Sequence, residues 1–212
     1  MALVKGKPAQ PVGTTVPGQS SCEELEAGLE SADVSVRRHA AKQILRCPNA
    51  GAALVRRLKC EQEVVVRAAI LTALIRLDDP AATKGLADCL RSEDVALRNE
   101  AIEALKELAS AGDRAGAVPP VLASLLDDPD PDVRIFAVNV MESVPHPDVE
   151  SWLIEVIERD SHVNVCSTAV DLLCEVGTPA ALDPLIRLKA RFASQPYIQF
   201  AAGLALKRIR EN

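Results

Sequence analysis

Three histidines, six cysteines and a set of regularly spaced arginines are the side chains in this sequence best suited to chemistry. A bound metal needs ligands at short, convergent spacings. His39, His146 and His162 stand far apart, and the latter two sit beside Pro147 and Asp160, where helices start or turn. No metal site is expected. The cysteines at 22, 47, 60, 89, 166 and 174 form no CxxC pair. Cys166 and Cys174 on one helix would be roughly 12 Å apart, too far to bridge. All six read as small, buried, unpaired apolar residues of a reducing, cytoplasmic protein. Glycine-rich phosphate loops and nucleophile elbows are missing. The chain reads as a non-enzyme without a cofactor.

The arginines are more informative because they repeat. Aligned copies run VSVRRHAAKQIL (34–45), VVVRAAILTALI (64–75), VALRNEAIEALK (95–106) and PDVRIFAVNVME (131–142), with weaker copies VNVCSTAVDLLC (163–174) and PYIQFAAGLALK (196–207). Their anchors are Arg37, Arg67, Arg98, Arg134, Cys166 and Gln199, spaced by 30, 31, 36, 32 and 33 residues. Four residues before each arginine stands an acid: Asp33, Glu63, Asp94 and Asp130. Such a side chain can cap the helix start or pair with the arginine one turn on. This structural use of the acids and arginines is preferred to a row of anion sites at helix N-termini.

The elements that position these residues follow from periodicity. Apolar side chains recur at three- and four-residue steps, as in Val36, Ala40 and Ile44, the stripe of an amphipathic helix. A second helix set lies between: CEELEAGLES, AGAALVRRLK, PAATKGLADCL, VPPVLASLL, PDVESWLIEVIE and PAALDPLIRLKARF. Ser21 with Glu24 makes a capping box, and Asp79–Pro80 and Thr178–Pro179 put a cap before a first-turn proline. Strand signals are nearly absent. A repeating unit of about 32 residues, helix–turn–helix, predicts an all-α, right-handed α-solenoid of six helix pairs.

The phrase D-x-x-V-R-x-x-A between a leucine-rich and an alanine-rich helix, best in DDPDPDVRIFA (127–137) and SEDVALRNEA (92–101), resembles the HEAT-like repeat over residues 21 to 210. The short form named after phycobilisome lyases is the nearest variety. The resemblance implies that the arginines reach the neighbouring repeat as a ladder, which Cys166 and Gln199 break, so that the C-terminal end depends on apolar packing. It also implies that the second helix of each pair lines a concave face. HEAT-repeat di-iron hydroxylases use His-Glu pairs, and this chain has no His-Glu dipeptide.

Counting from the anchor, positions +1, +5 and +9 turn away from the apolar stripe by about 100°, 140° and 180°. These columns read Arg38, Lys42 and Arg46; Ala68, Thr72 and Arg76; Asn99, Glu103 and Glu107; Ile135, Asn139 and Ser143; Ser167, Asp171 and Glu175; Phe200, Leu204 and Arg208. The expected groove is basic, then acidic, then neutral with an exposed Ile135, then acidic again, matched to a partner of complementary charge order. Phe136, Trp152, Phe192, Tyr197 and Phe200 are expected to seal the terminal core, with Trp152 or Tyr197 as the alternative partner anchor.

Composition sets the outer bounds. Lys and Arg number 24 against 30 Asp and Glu, giving a net charge of −6, and aromatics make up 2%. An acidic, aromatic-poor chain lacks the means to neutralise phosphates or stack bases, so nucleic acid is not an expected partner. No apolar run approaches the ~18 residues of a membrane span. Residues 1–20, rich in Pro and Gly, read as a flexible arm before a repeat domain at 21–212, and 109–120 as an extended loop that bends the array or projects a recognition element. The expectation is a protein–protein interaction scaffold or adaptor of the kind found in bacterial signalling and assembly complexes. The alternative implied by the resemblance is a bilin-lyase-type subunit or chaperone, with Arg38, Lys42, Arg46 and Arg76 holding the propionates of a linear tetrapyrrole.

Overall fold

Several helices begin where a short polar side chain supplies an acceptor for the free N–H groups of the first turn. Ser21 and Glu24 form the reciprocal capping box, with N–H···O distances of 3.1 and 2.7 Å. Asp33, Asp94 and Asp130 accept backbone N–H bonds at the starts of their helices, as do Asp79 and Thr178 before their prolines. The computed structural model describes residues 20–77, 79–110 and 116–211. Apart from Ser20, the expected arm lies outside them, as do residues 111–115 of the 109–120 loop.

Twelve α-helices form among the described residues, and no strand does. They pair as α1 (Cys22–Leu29) with α2 (Val34–Gln43), α3 (Ala50–Leu58) with α4 (Val64–Arg76), and α5 (Pro80–Asp88) with α6 (Val95–Ala109). The remaining pairs are α7 (Val118–Leu125) with α8 (Pro131–Met141), α9 (Val149–Arg159) with α10 (Val163–Val176), and α11 (Leu182–Arg191) with α12 (Pro196–Glu211). The second helices stack in order, α2 on α4 on α6 on α8 on α10 on α12. The first helices make a parallel layer in which α1 meets α3, α3 meets α5, α5 meets α7, and α9 meets α11. This is the α-solenoid that the repeat period predicts.

Between the layers runs one continuous core. The residue three after each anchor is always buried: Ala40, Ile70, Ala101, Ala137, Ala169 and Ala202. The alanines at five of these six positions let neighbouring helices approach, while Leu29, Ile44, Leu54, Ile70, Leu74, Leu86, Leu105, Leu122, Met141 and Leu153 fill the space between. In the first layer, Gly85 brings α5 so close to α3 that a methyl group there would collide with Val55.

The anchor arginines act at the junctions between repeats. Arg37 donates a two-pronged bond to Glu61 of the next repeat (2.7 and 3.0 Å) and also donates to the carbonyls of Ser31 and Ala32. Arg134 repeats the pattern with Asp160 (2.6 and 3.0 Å) and the Asp128 carbonyl. Arg67 reaches forward to Asp94 at 3.0 Å and to Glu100, whose second oxygen lies 3.1 Å from Nε but out of line for a hydrogen bond. Arg98 has no carboxylate partner among the described residues. It donates to the Ser92 carbonyl and lies over the Phe136 ring at 5.4 Å, while Asp128 is paired with Arg91.

Six residues before an anchor, only Glu61 and Asp160 receive an anchor arginine of the preceding repeat, and they share that position with Ser31, Ser92 and Asp128. Each of these side chains accepts the N–H of the residue two further on. Of the two uses expected of the acids, capping is the one found, and among the described residues none of them pairs with the arginine one turn on. Asp33, Asp94 and Asp130 are occupied as caps, Glu63 makes no cap bond, and only Asp94 meets an anchor arginine, that of the preceding repeat. Past the fifth repeat the linkage reverses. Cys166 donates to the Asp160 carbonyl, and Arg191 of α11 reaches back to the carbonyls of Ile157 and Asp160. Gln199 donates to the carbonyls of Lys189 and Phe192 within its own repeat.

The cysteine reading also needs correction. Cys22 and Cys47 form a disulfide, with Cα atoms 5.5 Å apart, and Cys60 is exposed. Helix α1 runs out and α2 returns, so the two cysteines meet at the open end of the first hairpin despite 25 residues of separation. The buried pair, Cys89 and Cys166, fits the original reading: burial pushes the Cys89 thiol up to about 11 and raises Cys166 as well.

Two outcomes follow. Burial would raise the Glu61 carboxyl, but bonds from Arg37, the Glu63 N–H and Arg57 override it and hold the group at about 2 against an ordinary 4.5. A depressed folded-state value means stability that is complete above pH 4.5 and lost as pH falls towards 2. Glu61→Gln should therefore cost roughly 2 kcal/mol at neutral pH, below the ~3–5 kcal/mol of a fully desolvated pair because Arg57 opens to solvent. In thermal melts the gap from wild type should close as pH drops through that window, and a constant gap would refute the assignment. Cys47→Ser, or reduction, should cost about 2–4 kcal/mol. Amide exchange should then quicken in α1 and stay unchanged in α11 and α12.

Candidate protein-binding face

The stacked second helices turn one row of side chains away from the core, and the columns predicted from the sequence can be located on it. On α2 and α4, Arg38, Lys42, Ala68, Thr72 and Arg76 converge on a cleft of about 370 Å³. Its floor is apolar: Leu45, Val65, Ala69 and Ala73. The Thr72 hydroxyl donates to the Ala68 carbonyl at 2.8 Å. Arg38, Lys42 and Arg76 have no ion-pair partner among the described residues. Arg46 is not part of this group. It lies in the 3-10 turn that ends α2 and donates to the Ser20 carbonyl at 2.6 Å.

On α6, Asn99, Glu103 and Glu107 are exposed, and the two glutamates form no ion pair among the described residues. Lys106 and Glu142 bridge α6 to α8 at 3.4 Å. Between α8 and α10 a second hollow, about 450 Å³, brings Asn139 together with Asp171 and Glu175. These acids are engaged within the chain: the Tyr197 hydroxyl donates to Asp171 at 2.8 and 3.0 Å, and Arg208 pairs with Glu175. The face thus carries free cations at one end and mostly satisfied acids at the other.

Two expectations change. Ile135 is partly buried against the core, because a +1 side chain only about 100° from the anchor lies at the margin of the buried stripe. Ser143 and Ser167 are likewise half-buried. The aromatics do not all close the C-terminal core. Phe136, Trp152 and Phe192 pack against it, whereas Tyr197 is 53% exposed and Phe200 70%, beside a half-exposed Leu204. The histidines stay apart. His39 is exposed on α2, His146 stacks on Trp152 with centroids 5.2 Å apart, and His162 stands at the start of α10.

The cleft floor was not read from the sequence. Only the gap between α2 and α4 brings Leu45 and the exposed Val65 together with the buried Ala69 and Ala73 along one cleft. The junction acceptors Glu61, Glu100, Asp128 and Asp160 were missed too. For Glu61, Asp128 and Asp160 the signal is the recurrent Ser, Asp or Glu six residues before the first five anchors, whereas Glu100, two after Arg98, carries none.

The chain belongs to the HEAT-repeat family: the family model for HEAT repeats matches residues 22–110 and 118–207. No curated protein matches. Among solved structures, an engineered protein is similar at 19% identity and a TM-score of 0.46, covering 91% of this chain and all of that one. A designed armadillo repeat protein in complex with the peptide (KR)4 is similar at 19% identity and 0.46, covering 90% and 100%. The complex of CpcE and CpcF of phycocyanin lyase from Nostoc sp. PCC7120 is similar at 20% identity and 0.37, covering 97% and 99%. No described helix is long and apolar enough to cross a membrane.

The exposed α12 side chains give a direct check. Phe200→Ala and Leu204→Ala should each change stability by less than about 0.5 kcal/mol, as surface substitutions do. Leu206→Ala on the buried face of α12 should cost about 2–5 kcal/mol. Thermal melts of the three variants decide it, and a large loss from Phe200→Ala would show that the ring closes the core.

Proposed function

We propose that this chain is a non-catalytic interaction scaffold that takes another protein on the concave face formed by its second helices. The observation that carries this reading is the unequal satisfaction of charge. The junction arginines Arg37, Arg67 and Arg134 are consumed within the fold, and so are the acids Asp171 and Glu175. Arg38, Lys42 and Arg76 stand unpaired among the described residues over an apolar floor. Cations beside apolar surface in a concavity suit a protein ligand, because both the charge and the greasy contact gain on binding. The bilin reading drew on a fourth cation, Arg46, which is turned to Ser20 instead.

Photo-crosslinking tests the scaffold. A photoreactive side chain at Thr72, Asn99 or Asn139 should capture the same partner, while the equivalent at Arg56, Lys84 or Ile186 on the first helices should not. Equal capture from both layers would defeat the assignment of the face. A stoichiometric, red-shifted complex with biliverdin would replace the scaffold reading by the bilin one.

A further inference from the structure

We propose that the trough between α2 and α4 recognises a short acidic peptide segment that carries an apolar side chain and turns basic or neutral where it passes α6. This inference rests on the scaffold reading and adds the chemistry of the partner.

Length comes first. The α2–α4 cleft is continuous with a second hollow of about 260 Å³ that shares Arg38, Lys42 and Val65 and adds Val34, Ser35 and His39. Together they follow α2 from its first residue to Leu45 beyond its end. A ten-residue helix is about 15 Å long, which four or five extended residues would span at ~3.3 Å each.

Charge comes second. Arg38 and Lys42 are one turn apart on one wall, and Arg76 stands on the other. A segment laid between them meets cations on both sides. The chain as a whole is acidic, at −6, so these cations form a local patch on a repulsive background. On the next helix Glu103 and Glu107 are exposed and unpaired among the described residues. A long polyanion would run from the trough into this like charge, which costs affinity. A peptide that changes sign within a few residues meets complementary charge throughout.

The floor supplies the third constraint. Val65 is 52% exposed, and with Leu45, Ala69 and Ala73 it presents a surface that a phosphate backbone cannot use. One leucine-sized side chain between the acidic residues would cover it, contributing through removal of apolar area from water. A free or nucleic-acid phosphate would leave that surface wet.

The test uses the full chain and a fluorescein-labelled peptide of four acidic residues around one leucine, followed by two lysines. Anisotropy should show binding that weakens at least about tenfold in Arg38→Glu/Lys42→Glu/Arg76→Glu. Changing the peptide leucine to serine should weaken binding, and replacing its lysines by glutamates should do the same through Glu103 and Glu107. Glu103→Lys/Glu107→Lys should reverse that last preference. If the triple reversal does not fold, Arg38→Gln/Lys42→Gln/Arg76→Gln takes its place. Unchanged affinity in the triple variant, or tighter binding of a single-stranded oligonucleotide of equal charge, overturns the proposal. The two readings fail differently. Loss of peptide binding with crosslinking from Asn139 intact defeats only the trough, whereas loss of crosslinking from every second-helix position defeats the scaffold.

Discussion

The forward reach of an arginine from one repeat to a carboxylate of the next is the interaction on which the array depends. A helix pair alone cannot bury its apolar stripe, so each needs its neighbour at a fixed angle and height. Apolar contact is not directional and leaves that register loosely set. The two-pronged bonds of Arg37 to Glu61 and of Arg134 to Asp160 are directional, and each arginine also binds carbonyls at the turn behind it. One side chain thus ties the end of one turn to the start of the next. Burial would raise the Asp160 carboxyl, but the Arg134 fork outweighs it and holds the group below its usual range. The receiving carboxylates also cap their own turns, so a single group orders its loop and docks its neighbour.

Placing these links at the turns has a consequence for the outer face of the second helices. Register is set at the edge of the stack and by the buried side chains between the layers. The outward columns then carry little structural duty, and their chemistry varies from helix to helix. Arg38 and Lys42 on α2, Glu103 and Glu107 on α6, and Asn139 on α8 occupy equivalent places with unrelated side chains. Where an outward residue is used by the fold, it has a visible partner, as Asp171 has in Tyr197 and Glu175 in Arg208. The unpartnered ones are those the fold itself leaves unused among the described residues.

The helices, their pairing and the columns of the outer face were legible because each depends on spacing within one repeat. A three-to-four periodicity fixes which side of a helix is buried, and Ser21, Asp33, Asp79 and Thr178 mark where helices start. What could not be read depends on two segments meeting. Glu61 and Asp160 look like ordinary loop acids until the preceding repeat delivers Arg37 and Arg134. Arg46 reads as a third cation in a row, yet it lies in a 3-10 turn that breaks the α-helical angle, and it donates to the Ser20 carbonyl. Cys22 and Cys47 carry no local spacing signal and meet only because the first hairpin returns on itself. Ile135 was misjudged for the opposite reason: a helical wheel gives its angle, but a neighbouring helix decides how much of the margin is covered.

The first and last described repeats are fastened differently from those between them. In the first, the Cys22–Cys47 disulfide closes the hairpin at its open end, and the Arg46 bond to Ser20 secures the same corner. At the C-terminal end the arginine moves to the other helix of the pair. Arg191 on α11 reaches backward to the fifth repeat, where Cys166 has no guanidinium to offer, and Gln199 satisfies its own turn without pointing onward. The α2–α4 cleft lies at the opposite, covalently fastened end, where its two walls belong to the first repeat and the neighbour that Arg37 docks.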